Sequence, residues 1–288
     1  MSDRAGDNTV AIVDMRAGTA DEAFVAALKN NGFAVLRDAP LDLPRRERME
    51  RDWLRFFHGD GKEAFLAVES ASSGNTTGYI PPQVSETAVG HAVKDLKEFY
   101  HIAPGAAFPP GLADDAMAYL DDALALGRLL LGWIEKELGE LLPEDLRGTL
   151  AASLSREHSL LRILHYPPLD GSEPAGAVRA AAHEDINMLT VLPVSHQPGL
   201  QILNRDGSWT DVPGEAGDVV INAGDMLQEL SGAALPSTTH RVVNPQGATA
   251  NVSRLSMPYF LAPQLDLPLS DRYTAGSYLR ERLDLLAR

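Results

Sequence analysis

The residues of this chain that could do chemistry centre on His183-Glu184-Asp185. The flanking segments have strand character, and side chains two positions apart on an extended backbone point to the same side. His183 and Asp185 can therefore reach one point in space while Glu184 points away. An imidazole and a carboxylate make up two thirds of the 2-His-1-carboxylate set that holds non-haem Fe(II) and leaves coordination positions open. The third ligand must come from elsewhere in the chain, and His240 is the leading candidate.

A second pair with the same spacing follows at Arg254-Leu255-Ser256. Its guanidinium and hydroxyl also point to one side of an extended backbone, and arginine can bind an organic carboxylate through two parallel hydrogen bonds. Taken alone, an H-x-D triplet is more often a solvated strand end than a metal site, and a histidine near a turn is more often structural. The prediction of a metal site therefore rests on the ordered set of all three features.

At this point the chain resembles a known family, the Fe(II)/2-oxoglutarate-dependent oxygenases of the isopenicillin N synthase-like branch. The resemblance covers most of the chain and includes an opening segment at residues 31–36. The matching stretches are Leu161-Arg162-Ile163-Leu164-His165-Tyr166-Pro167-Pro168, His183-Glu184-Asp185, Gly199-Leu200-Gln201-Ile202, Gly224-Asp225-Met226-Leu227, His240-Arg241-Val242 and Arg254-Leu255-Ser256.

The resemblance implies Fe(II) as cofactor and 2-oxoglutarate and O2 as co-substrates. It places the distal carboxylate of 2-oxoglutarate on Arg254 and Ser256, with a further hydrogen bond from Tyr166. The expected reaction is hydroxylation of a small molecule with release of succinate and CO2, and desaturation or ring closure stays open. Halogenation is disfavoured because related halogenases have a small residue where this chain has Asp185.

Four residues are weaker candidates for binding the primary substrate. Arg162 alternates with apolar neighbours on the strand that leads to Tyr166, so it could face the cavity and bind a substrate carboxylate, or form an ion pair at a sheet edge. Asn75 and Tyr79 lie in a region that contributes to the pocket mouth in the resembling family. Asn187 could point toward the pocket, although nothing in its surroundings decides this.

Two other functions are compatible with parts of this pattern. An Fe(II) oxidase of the isopenicillin N synthase or amino-cyclopropane carboxylate oxidase type would keep the iron and not use 2-oxoglutarate. A non-catalytic jelly-roll module would bind a ligand or partner without iron. Dependence of O2 uptake on 2-oxoglutarate, and binding of Fe(II) or Mn(II), would distinguish these functions from the preferred one.

Composition narrows the environment and the partners. The chain of 288 residues has a formal net charge of −15, which argues against nucleic acid as a partner, because no basic stripe could offset phosphate repulsion. It has no cysteine, so disulfides and thiol catalysis are excluded and metal ligands must be nitrogen or oxygen atoms. No signal-peptide core or membrane-spanning apolar run is present, so the expected location is cytoplasmic. The oligomeric state is not determined.

The secondary-structure elements that must position these residues divide the chain into a mainly helical part and a mainly strand-forming part. Before residue 155, helical patterns dominate, over residues 20–30, 43–57, 114–138 and 143–154, with short strands at 8–14 and 33–36. Afterwards, short apolar segments alternate with turns. The strand candidates are Leu160–Tyr166, Arg179–His183, Met188–Leu192, Leu200–Leu203, Trp209–Val212, Val219–Ile221, Met226–Leu230, Arg241–Val243 and Val252–Leu261.

Many short antiparallel strands favour a mainly β fold with flanking helices, built on a double-stranded β-helix (jelly roll). Asn204-Arg205-Asp206-Gly207 predicts a hairpin turn between two of these strands. We expect one oxygenase domain over 1–288, with a mostly helical part at 1–155, the jelly-roll core at 156–265 and a C-terminal helix within 266–288. The space between the two sheets would bring His183, Asp185 and His240 together.

Overall fold

The computed structural model describes residues 8–69, 76–84, 94–245, 247 and 251–286. Its helices are α1 (Ala20–Asn31), α2 (Leu43–His58), α3 (Ala113–Leu138), α4 (Asp225–Leu230) and α5 (Ala275–Leu286). Its strands are β1 (Ala11–Asp14), β2 (Phe33–Arg37), β3 (Val68–Glu69), β4 (Thr76–Ile80), β5 (Glu98–Ile102), β6 (Leu154–Tyr166), β7 (Ala180–His183), β8 (Leu189–Pro193), β9 (Leu200–Leu203), β10 (Trp209–Asp211), β11 (Val219–Ala223), β12 (His240–Val242), β13 (Arg254–Ser256) and β14 (Tyr259–Pro263). Among the described helices, none is long and apolar enough to cross a membrane.

The larger sheet, here called the major sheet, has the order β1-β2-β11-β8-β14-β6-β5-β4-β3, with β13 paired to the end of β6. Alternation along each strand gives the sheet two faces. On β6, Leu161 and Ile163 join the core formed with the helices, which makes that face the outer one. Leu164 and Tyr166 belong to a second apolar cluster on the inner face.

The smaller sheet, here called the minor sheet, has the order β10-β9-β12-β7 and covers the inner face of the major sheet. Ile202 on β9 packs with Phe33, Val35 and Val220 of the major sheet, so apolar side chains from both sheets fill the space between them. The predicted jelly-roll core with flanking helices is confirmed. The predicted hairpin is also present, because β9 and β10 pair antiparallel on either side of residues 204–208.

The junction of α1 and β2 positions the segment before His240. α1 ends at Gly32, which adopts φ 73° and whose N–H donates to the carbonyl of Leu28. A Cβ on Gly32 would lie 2.2 Å from the carbonyl oxygen of Pro236, so only glycine allows this approach. The Thr238 hydroxyl donates to the Asn31 carbonyl at 2.7 Å and holds the approach to β12 against the helix end.

Three predicted elements differ from the structure. Residues 226–230 form a helix and not a strand, because Asp225, Met226, Leu227 and Leu230 are buried at helical spacing, and a five-residue apolar run does not distinguish the two. The strand predicted over 252–261 is interrupted, giving β13 and β14. The helix predicted over 143–154 is replaced by two short 3-10 turns at Glu144–Leu146 and Leu150–Ser153.

Candidate metal and carboxylate site

Three predicted ligand side chains converge between the two sheets. His183 at the end of β7 pairs directly with His240 at the start of β12, and Asp185 follows β7 by two residues. The Oδ1 atom of Asp185 lies 4.0 Å from Nε2 of His183 and 3.8 Å from Nε2 of His240. One ligand atom from each residue falls within 4.8 Å of the others, which is the spacing of a shared metal ion.

Both imidazoles are oriented by main-chain carbonyls. His183 Nδ1 lies 2.7 Å from the carbonyl oxygen of Ala181, and His240 Nδ1 lies 3.0 Å from that of Thr238. A carbonyl only accepts hydrogen bonds, so the proton resides on Nδ1 in each ring and Nε2 keeps its lone pair. The edge of Phe33 also packs against the His240 ring, with centroids 5.4 Å apart. The Nε2 atoms of both rings, the candidate metal ligands, therefore face the Asp185 carboxylate.

The charge states of His183 and Asp185 suit a divalent cation. Desolvation by the walls of the site lowers the pKa of His183 to about 4, although 42% of its side chain is exposed, and the neighbouring His240 acts in the same direction. Burial alone would raise the pKa of Asp185, but His240, His183 and two hydrogen bonds outweigh it and hold the pKa below its ordinary value. Around neutral pH the site offers a neutral His183 imidazole and a carboxylate.

Two residues that the sequence analysis did not identify hold the Asp185 carboxylate. Its Oδ2 atom accepts hydrogen bonds from the Thr190 hydroxyl at 2.5 Å and from the Asn222 amide at 2.9 Å. Thr190 on β8 and Asn222 on β11 are register partners on the inner face of the major sheet. The sequence signal that could have identified them is a polar residue within an otherwise apolar strand. Such a residue is expected to be buried and must then have a hydrogen-bond partner.

The loop after Asp185 is further fixed by α4 and α5. The Asp225 N–H donates to the Asp185 carbonyl oxygen at 2.7 Å, and the buried Asp225 carboxylate accepts from Arg282 at 2.7 Å. Arg282 lies on α5, the C-terminal helix predicted within 266–288. This helix therefore contributes to the position of a candidate ligand through one intermediate residue.

The predicted carboxylate-binding arginine lies on the inner side of β13. Arg254 is the register partner of Tyr166 on β6, and its side chain is buried. Its Nη1 donates to the carbonyl oxygens of Gln197 and Pro198, while its Nε has no hydrogen-bond partner among the described residues. Burial lowers the pKa of Arg254 to about 10, which leaves the guanidinium charged at neutral pH. A buried cation with such an N–H is suited to an anionic ligand.

Tyr166 and Ser256 flank this guanidinium on adjacent strands. Burial raises the pKa of Tyr166 to about 12 and Arg254 lowers it in part, so the phenol is protonated and able to donate at neutral pH. Ser256 is buried and pairs with Leu164 across β13 and β6. The three polar groups therefore share one end of the space between the sheets.

Arg162 also lies on the inner face of β6, where alternation places it with Leu164 and Tyr166. Its guanidinium lies over the Phe99 ring at 4.6 Å and over the Phe260 ring at 5.6 Å. Its Nε donates to Nε2 of His101 at 2.7 Å. Phe260 is the register partner of Thr190, and the Thr190 hydroxyl bonds Asp185. Through Phe260, Arg162 therefore lies on the same inner face of the major sheet as the residues that hold Asp185.

The other three candidates for substrate binding have different outcomes. Asn187 is buried and donates from its amide to the Thr190 hydroxyl at 2.9 Å, which places it behind the ligand carboxylate. Tyr79 lies on the outer face of the major sheet, where its hydroxyl donates to Glu98 at 2.5 Å, so the structure does not bring it to the cluster. Asn75 lies outside the described residues.

Comparisons with known proteins identify a family of similar sequences. The 2OG-Fe(II) oxygenase superfamily profile matches residues 157–263. Gibberellin 3-beta-dioxygenase 1 of Oryza sativa subsp. japonica is 30% identical over an alignment of 295 residues, gaps included, that covers 96% of this chain and 74% of that protein.

Two solved structures match over nearly their whole length. A Shewanella oneidensis protein described as an oxygenase has 42% identity and a TM-score of 0.83, covering 97% of this chain and 99% of that one. A full-length Neurospora crassa protein, solved in complex with alpha-KG, has 25% identity and a TM-score of 0.78, covering 96% and 97%.

Proposed function

Because this chain belongs to the 2OG-Fe(II) oxygenase superfamily and is an Fe(II)- and 2-oxoglutarate-dependent dioxygenase, we propose which of its residues carry the reaction. His183, Asp185 and His240 bind the Fe(II). The observation that carries this assignment is the convergence of their three ligand atoms, which lie within 4.8 Å of one another. Two imidazole nitrogens and one carboxylate oxygen form the donor set typical of ferrous oxygenases.

Held by these residues, Fe(II) and 2-oxoglutarate would supply the chemistry by which O2 oxidises a C–H bond of the substrate, with release of succinate and CO2. The residues of the chain position these groups and exclude water. The Ala181 and Thr238 carbonyls keep the imidazole Nε2 atoms directed inward, and the main-chain bond from Asp225 fixes the Asp185 loop. Phe33 and Phe260 border the polar pair Asn222 and Thr190 on adjacent strands and keep this surface dry.

Arg254, Ser256 and Tyr166 bind the distal carboxylate of 2-oxoglutarate. Burying an unpaired carboxylate would cost several kcal/mol, so a charged partner at the same depth is required. Arg254 supplies the charge and its Nε–H, and Tyr166 is held protonated so that it can donate. These three groups are separate from the ligand cluster, as the two ends of a bound dicarboxylic acid require.

Arg162 binds an acidic group of the primary substrate. Its planar guanidinium is held against Phe99 and oriented by the hydrogen bond to His101, on the inner face that leads toward Thr190. The Neurospora crassa protein has also been solved in complex with alpha-KG and thymine, which is consistent with a small-molecule substrate for a related site. With a net charge of −15, the chain favours a free small molecule over a nucleic acid. The cytoplasm, which supplies reduced iron and 2-oxoglutarate, stays the proposed location.

The decisive experiment measures succinate release and O2 uptake with purified protein, Fe(II) and a panel of small carboxylic acids. We expect O2 uptake to require 2-oxoglutarate and to equal succinate formed when a true substrate is present. Sustained O2 uptake without 2-oxoglutarate would instead favour an oxidase of the isopenicillin N synthase type. For the substrate anchor, Arg162→Lys should retain more of the substrate-stimulated rate than Arg162→Gln, while substrate-free succinate release stays similar in both. Equal rates in the two variants would contradict that role.

A further inference from the structure

The Asp185 carboxylate is held asymmetrically. Its Oδ2 atom accepts both the Thr190 and the Asn222 hydrogen bonds, at 2.5 and 2.9 Å. Its Oδ1 atom is the one that faces the two imidazoles, at 4.0 and 3.8 Å from their Nε2 atoms. The two oxygens of one carboxylate are thereby given separate tasks.

The direction of the Thr190 hydrogen bond follows from its two partners. The ionised Asp185 carboxylate can only accept, so the single hydroxyl proton of Thr190 is directed to Asp185 Oδ2. The Thr190 oxygen in turn accepts from the Asn187 amide nitrogen at 2.9 Å. The chain Asn187, Thr190, Asp185 thus has a single polarity, and Asn222 adds a second N–H from the other side.

The two donors cannot easily move away. Thr190 and Asn222 are opposite each other on β8 and β11, and each is 2% exposed. Phe33 pairs with Asn222 and Phe260 pairs with Thr190, so aromatic residues adjoin the polar pair on both sides. Releasing Oδ2 would leave a buried N–H and a buried O–H without partners, at roughly 1–3 kcal/mol each.

We propose that Thr190 and Asn222 are positioning residues that restrict Asp185 to binding the metal through Oδ1 alone. A carboxylate free to rotate can bind a metal through both oxygens and would then occupy a further coordination position. Restriction to one oxygen keeps that position for the 2-oxo acid or O2. This inference rests on the proposed metal site, and it predicts an effect on co-substrate binding and not on metal binding.

The test uses full-length Thr190→Val, which removes the hydroxyl at nearly constant volume, with Thr190→Ser as the matched control that keeps it. Mn(II) is titrated calorimetrically into each metal-free protein, and 2-oxoglutarate is then titrated into each Mn(II)-loaded protein. We expect Thr190→Val to bind Mn(II) as well as the wild type or better, and 2-oxoglutarate at least about 10-fold more weakly. Thr190→Ser should restore most of the 2-oxoglutarate affinity.

Two results would overturn the inference: an unchanged 2-oxoglutarate affinity in Thr190→Val, or a loss of Mn(II) affinity beyond about 10-fold, which would indicate a collapsed metal site. If Thr190→Val does not fold, Asn222→Ala, which removes the second donor, is held to the same criteria. Failure of the wild type to bind Mn(II) or 2-oxoglutarate would instead contradict the proposed function itself, so the two failures are distinguishable.

Discussion

The two ends of the site are prepared for their ligands in different ways. At the metal end, each of the three candidate ligands is held by hydrogen bonds from the protein: the two imidazoles by carbonyls, and Asp185 by Thr190 and Asn222. At the carboxylate end, Arg254 is buried and charged, yet its Nε meets no acceptor within the described ranges. The candidate metal end is therefore organised by the chain itself, whereas the carboxylate end keeps one N–H for the ligand proposed to bind there.

This difference indicates what each end must resist. At the metal end, main-chain carbonyls orient the two imidazoles, whereas Thr190 and Asn222 fix which oxygen of Asp185 faces them. The carboxylate end must keep a cation buried without collapse, and it relies on rigid strands. β13 pairs with β6 over three residues. Just before β13, the Oγ atom of Ser253 lies 3.1 Å from Nε2 of His165, which is on the outer face of β6.

Breaking the metal end should have the largest effect. Asp185→Ala, His183→Ala and His240→Ala should each lower turnover by roughly 1,000-fold or more, because the loss of a metal ligand weakens Fe(II) binding. The measurement is succinate release together with Mn(II) titration of each variant. Glu184→Gln is the matched control, since this exposed residue lies between two ligands and bonds Thr239 instead. Retained Mn(II) binding in the alanine variants would contradict the ligand assignment.

Acid should lower the free energy of unfolding that the Glu98 carboxylate contributes on the outer face of the sheet, behind the carboxylate end. Burial would raise the pKa of Glu98, but hydrogen bonds from His165, Lys62 and Tyr79 lower it to about 2, from an ordinary value of 4.5. The folded-state pKa is depressed, so this stabilisation is fully present above about pH 4.5 and is lost as pH falls toward 2. At neutral pH it amounts to on the order of 3 kcal/mol.

The measurement compares the free energy of unfolding of the wild type and Glu98→Gln between pH 7 and pH 3. We expect the wild type to be more stable at pH 7 and the two curves to approach each other in acid. A difference that is independent of pH would show that the ionised carboxylate is not the source of the stabilisation.

Arg254→Ala should mainly raise the 2-oxoglutarate requirement. Removing one partner of a buried charge pair costs roughly 2–5 kcal/mol, so the KM for 2-oxoglutarate should rise by about 100-fold or more. Arg254→Lys keeps the positive charge but not the planar, two-pronged donor group, so its KM for 2-oxoglutarate should lie between those of the wild type and Arg254→Ala. An unchanged KM in Arg254→Ala would mean that the distal carboxylate binds elsewhere.

Ser256→Ala should have the smallest effect of the four. It removes one hydrogen bond to a charged group, worth roughly 1.5–3 kcal/mol; we expect the lower end, a rise of about 10-fold in the KM for 2-oxoglutarate, because the charge of Arg254 remains. Mn(II) affinity should stay at the wild-type value, because Ser256 belongs to the carboxylate end. A selective loss of Mn(II) binding in this variant would contradict the assignment of Ser256 to the carboxylate end.

Local patterns were sufficient for most of the strands and for the ligand types. The strands predicted at 160–166 and 200–203 and the turn predicted at 204–207 are all present. In these segments the local preference of the sequence for strand or turn agrees with the tertiary structure. The helix at 225–230 was missed because its run is short and apolar, and its start depends on the Asp225 N–H bonding the Asp185 carbonyl. That bond joins two segments that are distant in sequence.

The sequence by itself indicated which residues two positions apart can face one side of an extended segment, as in His183 with Asp185 at the end of β7 and Arg254 with Ser256 on β13. Only the tertiary structure decided that His240 pairs with His183, that Thr190 and Asn222 meet at Asp185, and that Tyr79 faces the helices. The physical reason is that side-chain alternation is fixed within a strand, whereas the partner of each strand and the face that is covered depend on packing between segments far apart in the chain.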